Sequence, residues 1–136
     1  MMWYSGNHIN DILQQHNNNF VEDLEKIYQT YSIYRAIIIT DIKTEQEYTE
    51  LLEQYNHSVR VINTITDQDY DNIDDRILLM NYEVFNNFMD YFDYDIINTS
   101  FNLIAYTYDI KDNIKNNLVC KYNKLTKNNA NNTIII

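Results

Sequence analysis

Three uninterrupted apolar runs constrain this chain more than any other feature. The first lies in Tyr34 to Thr40 and contains Ala36-Ile37-Ile38-Ile39. The second is Arg76-Ile77-Leu78-Leu79-Met80, and the third opens Leu103-Ile104-Ala105-Tyr106. A strand with one wet face alternates apolar and polar residues, whereas a run that is apolar at every position has to be buried on both faces. The β-branched content and shortness of the first run predict a strand rather than a helix. The third run reads as a strand to Tyr108, and Val59 to Asn63 and Thr133 to Ile136 read as further strands.

Between these runs apolar residues recur at three- and four-residue steps, the period of a helix with one buried face. Over residues 7–31 they are Ile9, Ile12, Leu13, Phe20, Val21, Leu24, Ile27, Tyr28 and Tyr31, interrupted at His16 to Asn19. Two short helices, or one bent helix, are expected there. Asn19 is positioned to cap the second, with Glu22 and Asp23 near its positive end. Thr44 and Glu47 have the spacing of a capping box. It would open a helix with Tyr48, Leu51, Leu52 and Tyr55 on one face, ending near Asn56. Glu83 to Tyr94 places Val84, Phe85, Phe88, Met89 and Phe92 at helical spacing. Asp109 is expected to cap a helix bearing Ile110, Ile114 and Leu118. Strands alternating with helices predict an α/β domain: three layers, a mostly parallel sheet, helices on both faces. We divide the chain into an N-terminal helical segment, residues 1–33, and one compact unit, residues 34–136.

Charge narrows the partners. Residues 1–110 hold 5 Lys and Arg against 19 Asp and Glu, while residues 111–136 hold 5 Lys and one Asp. The acidic body repels polyphosphate, so nucleic-acid contact is expected only through the basic C-terminal segment. With one glycine, Gly6, and no proline, the chain lacks the glycine-rich turns that let backbone approach a phosphate closely. A single cysteine, Cys120, excludes an internal disulfide and a cysteine-based zinc site. No apolar run reaches the ~18 residues of a membrane span, and Met1 to Gly6 carries no signal-peptide pattern. An intracellular protein that avoids membranes is the expectation.

Several constellations invite a catalytic or metal-binding reading and are better explained otherwise. His8, His16 and His57 lack the tight two-histidine spacing of a zinc helix and are expected to be exposed polar residues. Asp67, Asp69, Asp71, Asp74 and Asp75 alternate like calcium ligands. The loop has no glycine at its sixth position, and Leu78 stands at its twelfth, so a solvated acidic loop is expected. Cys120, on an apolar-flanked helix, is expected to be a structural thiol. The tyrosines between Tyr82 and Tyr108 are interleaved with aspartates rather than a basic frame, and read as core and sheet-face residues, not base-stacking platforms. No metal, no cofactor and no catalytic residue is expected.

The region from Asn117 to Lys127 has the spacing Q-x-x-G-R-x-x-R-x-G-R, with Asn117, Cys120, Lys121, Lys124, Thr126 and Lys127 at the signature positions. Upstream, Arg76-Ile77-Leu78-Leu79-Met80-Asn81 and Ala36-Ile37-Ile38-Ile39-Thr40 stand in the matching order. By this pattern residues 34–136 resemble the second RecA-like lobe of superfamily-two helicases, in particular the poxvirus-type ATPases of large DNA viruses. The resemblance implies that Lys124 and Lys127 occupy places where the family's arginines reach ATP. Lysine keeps the charge but loses the planar fork that donates two bonds to a phosphoryl group. The chain has neither a G-x-x-x-x-G-K-S/T loop nor a D-E-x-H/D run, so it cannot assemble a phosphoryl-transfer site alone. The resemblance implies a non-catalytic accessory or docking domain in a viral nucleic-acid-handling system. It would bind a protein partner and keep residual phosphate contact through Lys121, Lys124 and Lys127. A purely structural scaffold, or one half of a split helicase, are the rival expectations.

Overall fold

A computed structural model describes residues 19–64, 76–91, 101–125 and 134–136. The expectations for residues 7–18, for His8 and His16, for the acidic run Asp67 to Asp75 and for Lys127 lie outside these residues.

Helix α1, Phe20–Thr30, leads into strand β1, Ala36–Thr40. A 3-10 turn, Ile42–Thr44, opens helix α2, Glu45–Gln54, and strand β2 is Val59–Val61. Strand β3, Ile77–Asn81, runs directly into helix α3, Tyr82–Tyr91. Strand β4, Leu103–Tyr106, helix α4, Asp112–Leu125, and strand β5, Ile134–Ile135, complete the order. The five strands form one sheet in the order β2-β3-β1-β4-β5, and every pairing is parallel. The fold is therefore mixed α/β around a parallel sheet, as the apolar runs predict.

Ile37, Ile38 and Ile39 are all fully buried. Each such side chain contributes about 1.5–3 kcal/mol of apolar transfer. Alternate residues of the central strands divide between two clusters. Ile37, Ile39, Leu78, Met80, Ile104 and Tyr106 join Phe85, Phe88 and Met89 of α3 and Leu118 and Tyr122 of α4. Ala36, Ile38, Ile77, Leu79, Leu103 and Ala105 join Phe20, Val21, Leu24 and Ile27 of α1 and Leu52 of α2. Helix α1 thus belongs to the same core as the strands that follow it.

Helix ends show which local signals held. Asn19 caps α1 as expected, its side chain accepting from the Glu22 amide at 3.2 Å. At the end of α2 the Asn56 amide donates to Glu53 O, the His57 amide donates to Leu52 O, and Asn56 adopts φ 65°. This reciprocal pattern usually places glycine at the left-handed position; asparagine tolerates it and stops the helix in a chain almost without glycine. The capping box did not form. Thr44 makes no side-chain cap, because its hydroxyl donates to Asp109 at 2.6 Å. Asp109 likewise does not cap α4, which begins three residues later. Tertiary partners outcompete the local bond in both cases.

Candidate functional site

From β1 the chain runs past the place of β3 to the β2 edge, then returns across β1 to β4 and β5. This reversal makes the carboxyl ends of β1, β3 and β4 the position where open parallel sheets hold ligands. The crest there is formed by Thr40 at the end of β1 and Asp41 after it, Asn81 at the end of β3, and Thr107, Tyr108 and Asp109 after β4.

The crest is closed by bonds among its own side chains. Asp109 accepts the Thr44 hydroxyl through Oδ2 and the Thr107 hydroxyl through Oδ1, both at 2.6 Å. Asn81 Oδ1 accepts from the amides of Glu83 at 3.0 Å and Val84 at 3.1 Å, which caps α3. Its Nδ2 donates to Glu45 at 3.3 Å. Asp41 Oδ1 accepts from the Lys43 amide at 3.1 Å and caps the 3-10 turn.

Helix α1 brings a buried carboxylate to the same end of the sheet. Asp23 is only 1% exposed; its Oδ2 accepts the Tyr108 hydroxyl, and its Oδ1 has no hydrogen-bond partner among the described residues. The fully buried Thr40 hydroxyl is similarly unpartnered. Phe20 stands edge-on to Tyr48 and Tyr108, with ring centroids 5.7 and 5.4 Å away. Burial, reinforced by the bond to Asp23 and its charge, pushes the Tyr108 hydroxyl well above its ordinary range, so it acts as a donor. Burial also raises Tyr48, with the Asp109 and Glu47 charges adding to it.

The lysines expected to contact phosphate are not equivalent. Lys121 Nζ donates to Asn86 O and Asn86 Oδ1, each at 2.9 Å, and sits 2.7 Å from Asp90 Oδ1, tying α4 to α3. Lys124, in the last turn of α4, is exposed. Lys115 folds back with its ammonium 5.6 Å from the Tyr106 ring centroid, and burial lowers its pKa. Cys120 is exposed, contrary to the structural role expected of it, because it lies off the Leu118–Tyr122 stripe that packs inward. His57 also departs from expectation: its side chain is 11% exposed, Nε2 pairs with Glu25, and its ring lies 4.9 Å from that of Tyr28. Among the described residues no group of three or more His, Cys, Asp or Glu is arranged to hold a metal ion. No helix among them is long and apolar enough to cross a membrane.

Sequence reasoning missed the crest. A signal for Asp23 was present, since it lies on the Phe20–Leu24–Ile27 stripe where a carboxylate is out of place. Thr44 and Asp109, 65 residues apart, offered none. No protein-family model matches the chain, and no characterised protein or solved structure matches it at a significant level.

Proposed function

We propose that this chain is a non-catalytic docking domain of the RecA-like, three-layer helicase-lobe type, serving a nucleic-acid-handling assembly through a protein partner. The observation that carries this reading is the state of the amide donors at the crest. Phosphate binding at an α/β switch point draws on free backbone N–H groups at helix N-termini. Here the Glu83, Val84 and Lys43 amides are occupied by the chain's own Asn81 and Asp41 side chains. Helix α2 starts without a side-chain cap, and there Glu45 and Glu47 set negative charge against an anion instead. An incoming phosphate would have to displace these bonds and approach Asp41, Glu45 and Asp109 as well, a cost no nearby guanidinium offsets. The parallel sheet and the order of the apolar runs support the lobe-like architecture.

Residual phosphate contact, in this reading, falls to Lys124, which is exposed where Lys121 is engaged. The test is calorimetric titration of the purified chain with Mg-ATP, beside fluorescence anisotropy with a labelled single strand at about 50 mM salt. The expected result is no saturable ATP binding. DNA binding should be weak, disappear by about 200 mM salt and fall further in Lys124→Glu. Saturable ATP binding or hydrolysis by the chain alone would overturn the reading. DNA binding absent even at low salt would leave a scaffold that makes no nucleic-acid contact and would remove Lys124 from the proposal.

A further inference from the structure

Strand β2 lies at the border of the sheet, and among the described residues it pairs with β3 alone. The Ile77 amide donates to Ser58 O and the Ile62 amide donates to Leu79 O. Residues 58 and 62 therefore turn their backbone groups toward β3. By the two-residue alternation of a strand, Arg60 does the same, and Val59 and Val61 direct their N–H and C=O away from the sheet. A row of such groups is a template for another strand.

Beside this edge runs a groove of about 570 Å³, walled by α2 and lined in part by Val61, Asn63, Glu45, Glu50 and Glu53, with Lys43 the one cation among its described lining residues. Helix α2 carries Glu45, Glu47, Glu50 and Glu53 and no basic residue. Gln46 donates to Glu50 Oε1 at 3.2 Å, which holds that carboxylate on the groove side of the helix. Charge decides what fits. The connecting residues 65–75 contain five Asp and no Lys or Arg, and residues 1–18 contain no Lys or Arg. The C-terminal lysines Lys115, Lys121 and Lys124 stand on helix α4 and not on an extended segment, and a second copy paired through this same edge would bring the same glutamates against these. Each acidic occupant is repelled where a cation is drawn in.

We propose that the open edge of β2 and the groove beside α2 bind a basic, extended peptide segment of a protein partner, added to the sheet as a further strand. Its backbone pairs with Val59 and Val61, and its Lys or Arg side chains on one face meet Glu50 and Glu53. This rests on the docking reading and gives it a location and a partner chemistry.

The probe is a fluorescent peptide of alternating Lys and Val, titrated into the full chain by anisotropy. A Glu-Val peptide and a backbone N-methylated Lys-Val peptide serve as controls. Two variants separate the two halves of the site. Glu50→Lys with Glu53→Lys reverses the wall, and Val61→Pro removes an outward donor without touching a bond to β3. Circular dichroism and thermal melts confirm that both remain folded. The expected result is saturable binding of the Lys-Val peptide, weakened at least about tenfold by each variant and by N-methylation, with no binding of the Glu-Val peptide. Should Val61→Pro not fold, the N-methylated peptide carries the same test from the ligand side. Absence of binding, or binding unchanged by wall reversal and by N-methylation, would overturn the proposal. So would hydrogen exchange showing the Val59 and Val61 amides already protected in the free chain, or a dimer that dissociates in Val61→Pro. These outcomes leave the docking reading standing, because that reading is judged by the ATP and DNA titrations.

Discussion

Replacing Asp109 with alanine tests whether the crest is held shut by its own side chains. Asp109 accepts two hydroxyls at 2.6 Å, and the two donors differ in what they lose. Thr107 is 2% exposed, so its hydroxyl has little access to water to replace the carboxylate. Leaving a buried polar group unsatisfied costs about 1–3 kcal/mol. Thr44 is half-buried and keeps a second acceptor, Asp41 O at 3.4 Å, so its loss is smaller, about 0.5 kcal/mol. Removing one negative charge from an acidic surface works the other way and is screened by salt. The expected destabilisation of Asp109→Ala is therefore about 1–3 kcal/mol, a fall in Tm of roughly 3–12 °C for a domain of this size. Urea denaturation at moderate salt measures it. A double-mutant cycle with Thr107→Val isolates the pair, because charge relief enters both arms equally. Its coupling energy should be about 1 kcal/mol or more. A loss below about 0.5 kcal/mol together with negligible coupling would refute the closing role of Asp109 at the crest.

Alkaline stability follows from the buried tyrosines. Burial, with the neighbouring Tyr122 adding to it, raises the Tyr106 hydroxyl above its ordinary value; burial and then Glu25 raise Tyr28, against an opposing pull from Arg76. A raised folded-state pKa means the unfolded chain loses its proton first. Stability is therefore full below about pH 10 and falls above it by about 1.4 kcal/mol per pH unit for each fully coupled tyrosine. Urea melts between neutral and strongly alkaline pH should show this, with a shallower fall in Tyr106→Phe. Lys121→Ala should cost about 1 kcal/mol through its lost ties to Asn86 and Asp90, and Lys124→Ala less than about 0.5 kcal/mol, both by urea denaturation. Exposed Cys120 should react fully with a thiol reagent in the native protein, without a change in Tm on labelling.

Much of the fold was legible because two periods, one for strands and one for helices, report burial directly. Ala36-Ile37-Ile38-Ile39 predicted a strand covered on both faces, and all four residues are fully buried. The Phe20–Leu24–Ile27 stripe predicted the inward face of α1, and Asn19 its cap. The site was far less legible. Thr44 and Glu47 have a capping-box spacing, and Asp109 precedes a helical pattern, yet Thr44 and Asp109 bond to each other. Lys121, Lys124 and Lys127 looked alike as a basic series, but α3 supplies Asn86 and Asp90 to Lys121 and not to Lys124.

By itself the sequence determined, for the described residues, which segments are strands and helices, which faces they bury, and that the sheet is mostly parallel. Those properties come from side chains a few residues apart, whose spacing maps onto a helix turn or a strand pleat. Only the tertiary structure decided the order β2-β3-β1-β4-β5, the crest where distant threonines and carboxylates meet, and the edge of β2 that pairs with no further strand among the described residues, beside Glu45, Glu50 and Glu53. Strand order follows from the direction each crossover takes, and no local period encodes that direction.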